Sequence, residues 1–110
     1  MTGAVLALLV LAASADAAEG PMRVVSINLC TDQLLLRLGD PGQIAGVGPL
    51  SRDPKLSVEA ARAATVPQVA ASAETVHALE PDLVLAGRFG ATAAAAALER
   101  LGTRVERFRP

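Results

Sequence analysis

A chain of 110 residues with ten basic and eleven acidic side chains is long enough for one domain and is nearly neutral. Hydrophobic residues make up 52% of it, so a substantial core can form. Trp and Tyr are absent and neither charge sign occurs in runs, whereas nucleic-acid binding needs stacking aromatics or a basic patch. We therefore expect a small-molecule ligand and no nucleic acid.

The first residues are typical of a secretion signal. Residues 4–13 are an unbroken apolar run that is too short to span a bilayer, and residues 15–17 (ADA) have the small-x-small pattern of a cleavage site. No Lys or Arg precedes the run, so an N-terminal apolar helix of a cytosolic protein is the alternative. We predict a signal peptide over residues 1–17 and export of the protein.

The first predicted unit is a strand followed by a helix. Residues 23–27 are a β-branched run typical of a buried strand, and the side chain of Asn28 or Thr31 can cap the helix that follows. Gly39 is expected to end this helix. One face of the helix is predicted to carry three leucines: Leu34, Leu35 and Leu38.

The middle of the chain predicts shorter elements. Residues 44–47 indicate a second strand, and Ser57 is a suitable N-cap for a short helix over residues 58–64. Residues 65–69 contain Pro67, which would cost a ladder hydrogen bond in a central strand. We expect at most a short edge strand there.

The last part of the chain alternates helix and strand twice. Ser72 can cap a short helix, and residues 83–86 predict a parallel strand that is buried on both faces. Residues 91–101 predict an Ala-rich helix, and residues 104–108 predict the last strand.

Strands that alternate with helices in this way predict an α/β fold. We expect a three-layer, Rossmann-like lobe with a mostly parallel sheet of four or five strands and helices on both faces. Ligands bind such sheets at the turns outside the carboxyl ends of the strands. The first of these turns lacks the G-x-G-x-x-G pattern and the chain has no Walker loop, so the sequence does not predict a nucleotide site.

The chain has one cysteine, Cys30, and one histidine, His77. A thiol at the start of a helix can become reactive, but His77 is distant in the sequence. We favour a small buried turn residue, with a ligand contact or a nucleophile as the other interpretations of Cys30. No cluster of His, Cys and carboxylates has ligand spacing, so neither a metal site nor a cofactor is predicted. We expect a non-enzyme; the alternative is a small secreted α/β enzyme that uses Cys30.

Three segments resemble the periplasmic substrate-binding proteins of ABC importers for iron-siderophores, haem and cobalamin, whose two lobes are joined by one long helix. They are residues 23–33 (RVVSINLCTDQ), 44–48 (IAGVG) and 72–87 (SAETVHALEPDLVLAG). The resemblance implies a periplasmic amino-terminal lobe over residues 22–110, without the second lobe. A truncated, non-functional gene product is the alternative.

In this family the turns after the first three strands hold the ligand. The corresponding residues here are Asn28, Leu29, Cys30 and Thr31, then Leu50, Ser51 and Arg52, and then Gly87, Arg88 and Phe89. Arg52 and Arg88 would meet carboxylate or phosphate groups of a chelate or corrinoid, or else be solvated loop residues. Phe89 would cover a macrocycle face or plug the core. Leu50 departs from corrinoid-binding relatives, some of which have an aromatic residue in this turn.

The resemblance also implies a partner in the inner membrane. Glu74 corresponds to an acidic residue that pairs with arginines of the ABC permease, and rim charges of this kind govern docking rate and orientation. The alternative is a carboxylate that is favoured by the dipole of its own helix. The implied function is the substrate-binding component of an importer, which delivers its ligand to a permease.

Overall fold

The computed structural model describes residue 20 and residues 23–109. The predicted signal peptide, residues 1–17, lies outside the described residues. In the described part four strands and four helices occur, with two 3-10 turns at Pro41–Gln43 and Pro49–Arg52. In chain order they are β1 (Val24–Ser26), α1 (Leu29–Leu38), β2 (Ile44–Gly46), α2 (Ala60–Ala63), α3 (Ala73–Ala78), β3 (Leu83–Gly87), α4 (Thr92–Arg100) and β4 (Val105–Phe108).

The four strands form one parallel sheet in the order β2-β1-β3-β4. The predicted α/β fold with a parallel sheet is therefore confirmed. The segment at residues 65–69 adds no further strand. It contributes one isolated bridge from Gln68 to Val47, because Pro67 has no N–H and can only accept the hydrogen bond from the Val47 N–H at 3.0 Å.

Helices cover both faces of the sheet, which gives three layers. Alternation along β1 directs Val25 to one face, where it packs in a cluster with Leu98 of α4, and directs Val24 to the other, where it packs in a cluster with Leu36 of α1. The core is thus two apolar layers, one on each side of the strands. Among the described residues, no helix is long and apolar enough to cross a membrane.

The buried face of α1 differs from the predicted one. Leu35 and Leu36 are buried, whereas Leu34 is half exposed and Leu38 is 80% exposed. A run of three leucines at residues 34–36 is compatible with more than one helix face, and packing on the sheet selected the face that also carries Asp32. Leu34 and Leu38 instead line a surface groove of about 260 Å³.

Two helices begin later than the sequence predicted. The Ser57 hydroxyl accepts a hydrogen bond from the Glu59 N–H at 3.2 Å, but the α-helix starts only at Ala60. Helix α4 starts at Thr92, because Ala91 has a left-handed backbone with φ of 49°. The predicted cap of α3 is confirmed, since the Ser72 hydroxyl accepts from the Thr75 N–H at 3.2 Å.

Candidate functional site

The turns that follow the strands meet at one edge of the molecule, which we call the carboxyl edge. It consists of residues 27–31 after β1, residues 47–52 after β2 and residues 87–91 after β3. These turns are neighbours because β2, β1 and β3 are parallel and adjacent in the sheet. The sequence prediction that three separated turns share one edge therefore agrees with the fold.

Asn28 connects the first and third turns. Its backbone is extended, and its Oδ1 accepts hydrogen bonds from the N–H groups of Cys30 at 2.9 Å and Thr31 at 3.3 Å, which caps α1. A Cβ atom at Gly87 would lie 2.5 Å from the Asn28 Nδ2 atom. Only glycine at the end of β3 leaves room for the capping amide.

Asp32 connects the first and second turns. Its side chain crosses to the turn after β2, where Oδ2 accepts a hydrogen bond from the Gly48 N–H at 3.1 Å. Burial raises the pKa of this carboxyl from 3.8 to about 6, although the Ser26 hydroxyl and the Gly48 N–H act in the opposite direction. Asp32 lies in the first turn of α1 and its hydrogen-bond partner is sixteen residues away in the sequence.

A cavity of about 130 Å³ lies between the first and third turns. Of the predicted residues, its walls contain Asn28, Cys30, Thr31, Gly87, Arg88 and Phe89. Phe108 and Arg109 also line it. Neither Arg88 nor Arg109 has a hydrogen-bond or ion-pair partner among the described residues. Both guanidinium groups are therefore available to an anionic group in this cavity.

A second cavity, of about 310 Å³, lies between the first and second turns. Asn28 borders this cavity as well, together with Leu29, Asp32, Gly48 and Leu50. Leu50 is 55% exposed. The two cavities thus flank Asn28, with the cationic side chains in the smaller one and mostly apolar walls in the larger one.

Two predicted ligand residues have hydroxyl groups that are hydrogen-bonded within the lobe. Ser51 is fully buried and its hydroxyl donates to the Gly48 carbonyl oxygen at 2.6 Å, so the side chain points into the lobe and its ligand contact stays a prediction. Thr31 is also buried, with its hydroxyl donating to the Asn28 carbonyl oxygen at 3.0 Å. It borders the smaller cavity without offering a free polar group.

Arg52 is a structural residue here. Its guanidinium donates to the carbonyl oxygens of Ala63 at 3.2 Å and Val66 at 2.8 Å, which ties the second turn to the end of α2. Arg52 lines neither cavity of the carboxyl edge. The residue is also exposed, which agrees with the interpretation as a solvated loop arginine, whereas a ligand contact of Arg52 stays a prediction.

The structure removes one interpretation each of Cys30 and Phe89, and their ligand contacts stay predictions. Cys30 is exposed, so its interpretation as a buried turn residue is wrong. Phe89 is 74% exposed, so it does not plug the core. His77 lines a different cavity, with Glu80 and Thr103, so no imidazole faces the thiol. Within residues 23–109, no three side chains of His, Cys, Asp or Glu are grouped to hold a metal ion.

Glu74 lies in the first turn of α3 and is exposed. Helix α3 leads into β3 and runs in the opposite direction to it, so the start of α3 lies towards the carboxyl edge. Ala70 and Ala71, just before α3, line the larger cavity. The docking role of Glu74 stays a prediction that this position permits.

Sequence reasoning missed the contribution of β4 to the carboxyl edge. Gly87 of β3 pairs with Phe108 of β4 in parallel register, which brings Phe108 and Arg109 beside the third turn. The signal was present in the sequence, because a fourth parallel strand must place its carboxyl end at the same edge. Only the first three turns had been considered.

A sequence profile of the periplasmic binding protein family matches residues 24–106. The chain therefore belongs to the periplasmic binding protein family, a family of binding proteins, and the resemblance seen in the sequence is confirmed at this level. A search among curated proteins found no match.

Solved structures with the same fold include three binding proteins. A periplasmic heme binding protein from Pseudomonas aeruginosa is 27% identical, with a TM-score of 0.63 over 82% of this chain and 32% of the other. A periplasmic heme-binding protein from Roseiflexus is 23% identical, with a TM-score of 0.65 over 82% of this chain and 34% of the other. A periplasmic vitamin B12 binding protein from Vibrio cholerae is 23% identical, with a TM-score of 0.61 over 79% of this chain and 34% of the other. The chain spans about a third of the length of these proteins.

Proposed function

We propose that this chain is the amino-terminal lobe of the substrate-binding component of an ABC importer. Its ligand would be an iron-siderophore, haem or cobalamin, bound at the carboxyl edge in the periplasm and delivered to a membrane permease. Family membership and the names of the similar heme and vitamin B12 binding proteins support this proposal. Residues 1–17 would be the cleaved signal peptide.

The observation that carries the proposal is the composition of the smaller cavity. Arg88 and Arg109 present two guanidinium groups beside the exposed ring of Phe89. A guanidinium binds carboxylate or phosphate groups through paired hydrogen bonds, and an aromatic ring packs on a flat apolar surface. Together they suit a large ligand that has both an anionic group and an extended ring or chelate.

The larger cavity supplies the remaining contact area. Its walls include Leu29, Pro49 and Leu50, and the exposed side chain of Leu50 stands at the rim. Apolar walls with a few polar groups are the usual composition of a small-molecule site. Because Asn28 separates the two cavities, a ligand that spans both would lie across the start of α1.

Titration of the protein with haemin, cyanocobalamin and a ferric siderophore tests the proposal. One lobe supplies about half of a two-lobed cleft, so we expect a Kd of roughly micromolar or weaker for the ligand that fits. Arg88→Ala should weaken that binding about tenfold, since it removes a charged hydrogen-bond donor. Arg100→Ala is the matched control, because this exposed arginine lies in the last turn of α4, away from the carboxyl edge.

Equal effects of the two substitutions would contradict the assigned site. Nanomolar binding by this chain alone would contradict the half-cleft argument.

Glu74 is the proposed permease contact, and its test is independent of the ligand. Glu74→Lys should slow association with the permease and leave the ligand Kd unchanged, because it reverses a charge outside both cavities. Glu80→Lys reverses an exposed charge that follows the other end of α3 and lines a different cavity, so it serves as the control. An association rate that Glu74→Lys does not alter would remove the docking assignment.

A further inference from the structure

We propose that Asn28 is a specificity-determining residue, whose Nδ2 group donates a hydrogen bond to an oxygen acceptor of the ligand at the ridge between the two cavities. The inference rests on the proposed function, because it assigns a contact to the ligand of the same site. It also states the chemistry that the ligand carries at this place. A carbonyl, carboxylate or hydroxamate oxygen is needed there, in addition to the anionic group that meets Arg88 and Arg109.

The cap of α1 fixes which end of the Asn28 amide faces outward. An asparagine amide has a carbonyl oxygen that only accepts and an NH2 group that only donates. Oδ1 accepts from the N–H groups of Cys30 at 2.9 Å and Thr31 at 3.3 Å. The reversed amide would set its own donors against these two N–H groups. The NH2 group is therefore directed away from the helix.

The Nδ2 atom has no acceptor of its own within the lobe. Residues 23–109 make no hydrogen bond with this atom, and Asn28 is only half buried, so the ligand-free donor is left to water. Gly87 lies beside it, where a Cβ atom would approach Nδ2 to 2.5 Å. The missing side chain at Gly87 thus keeps the space next to the donor open.

This donor lies where the two cavities meet. Among the described residues, Asn28 alone lines both of them, with Arg88 and Arg109 in the smaller cavity and Leu29 and Leu50 in the larger one. A ligand that spans both cavities covers Asn28 and removes water from its NH2 group. A donor that loses water without gaining an acceptor weakens binding. The site therefore selects a ligand with an oxygen over the ridge and rejects one with apolar surface there.

Two substitutions separate this contact from the helix cap. Asn28→Asp keeps the capping acceptor and replaces the NH2 donor with a second acceptor oxygen. Asn28→Ser also keeps an N-cap and adds no charge, and its hydroxyl lies one bond closer to the main chain than the amide nitrogen. Asp40→Ser is the matched control, because Asp40 caps the 3-10 turn Pro41–Gln43 at an exposed position and lines neither cavity.

Urea denaturation followed by circular dichroism tests the orientation of the amide without any ligand. Asn28→Asp and Asn28→Ser should keep a urea midpoint close to that of the wild-type protein, because Asn, Asp and Ser are similarly good N-caps. Asn28→Ala removes the cap and should lower the midpoint. If Asn28→Asp lowers the midpoint as far as Asn28→Ala does, Oδ1 is not the capping atom and the proposal is overturned.

Titration with haemin, cyanocobalamin and a ferric siderophore tests the contact itself. For the probe that binds the wild-type protein, Asn28→Ser should raise the Kd about fivefold, as expected for the loss of one neutral hydrogen bond. Asn28→Asp should raise it about tenfold or more, because an acceptor oxygen then faces the oxygen of the ligand. Asp40→Ser should leave the Kd unchanged.

Wild-type affinity in either Asn28 variant would overturn the contact and leave the proposed function in place. Tighter binding by Asn28→Asp would also overturn it, because the ligand would then present a donor to the ridge. Absence of binding of all three probes to the wild-type protein would instead remove the proposed function, and with it the ligand that this contact requires.

Discussion

Replacing Asp32 with Asn is expected to make the protein more stable at neutral pH. The pKa of this carboxyl rises from 3.8 to about 6 on folding. A folded-state pKa above the unfolded one means that the folded protein binds the proton more tightly, so stability is lost as the pH rises from 3.8 to about 6. A difference of about two pH units corresponds to as much as about 3 kcal/mol.

Urea denaturation at several pH values measures this effect. Circular dichroism is the suitable signal, because the chain has no Trp or Tyr for intrinsic fluorescence. Other carboxylates also titrate in this range, so the informative quantity is the difference in unfolding free energy between Asp32→Asn and the wild-type protein. We expect that difference to increase from pH 4 to pH 6 and then to level off.

Asp40→Asn provides the control for the loss of a carboxylate that accepts a backbone N–H. At this exposed site the change should stay within about 0.5 kcal/mol at every pH. A difference between Asp32→Asn and wild type that is the same at pH 4 and pH 8 would refute the argument, because a lost or gained hydrogen bond without titration gives a constant offset.

Three further predictions follow from the packing. Gly87→Ala and Asn28→Ala should each lower the unfolding free energy by about 1 kcal/mol, because the first adds a Cβ that displaces the Asn28 amide and the second removes that amide from the cap of α1. Both variants damage the same cap, so the double variant should cost less than the sum of the two. Leu98→Ala should cost about 3 kcal/mol in the same denaturation assay, since Leu98 is fully buried in the core; a loss below about 1 kcal/mol would contradict that placement. The exposed Leu38 beside an apolar groove predicts that the protein self-associates in sedimentation velocity and that Leu38→Glu reduces this association. Absent association, or association that the substitution leaves unchanged, would exclude this groove as a contact surface.

The sequence determined most of the fold because its signals are local. A β-branched run at residues 23–27, the Ser72 cap and the Gly39 stop act within a few residues, and each appears in the structure where it was predicted. Parallel pairing followed from the alternation of strands and helices, and the α/β class with it. The sequence was less informative where more than one helix face could be the buried one, as in the leucine run of α1.

The site residues were predictable by position and not by role. The strand ends identified Asn28, Arg88 and Phe89 as residues of the carboxyl edge, because parallel strands end at the same side of a sheet. Arg52 was predicted by the same rule, yet its guanidinium is held by carbonyl oxygens of the α2 segment. Whether an arginine faces a cavity or the backbone depends on groups that are distant in the sequence.

The sequence by itself determined the order of the elements and the edge at which the turns meet, since hydrophobic periodicity and turn residues act over short distances. Tertiary structure alone decided the environments of the side chains. The contact between Asp32 and Gly48 and the pairing of Phe108 with Gly87 join residues that are sixteen or more positions apart. Burial and electrostatics depend on such long-range contacts, so the raised pKa of Asp32 and the second guanidinium at Arg109 become visible only in the folded lobe.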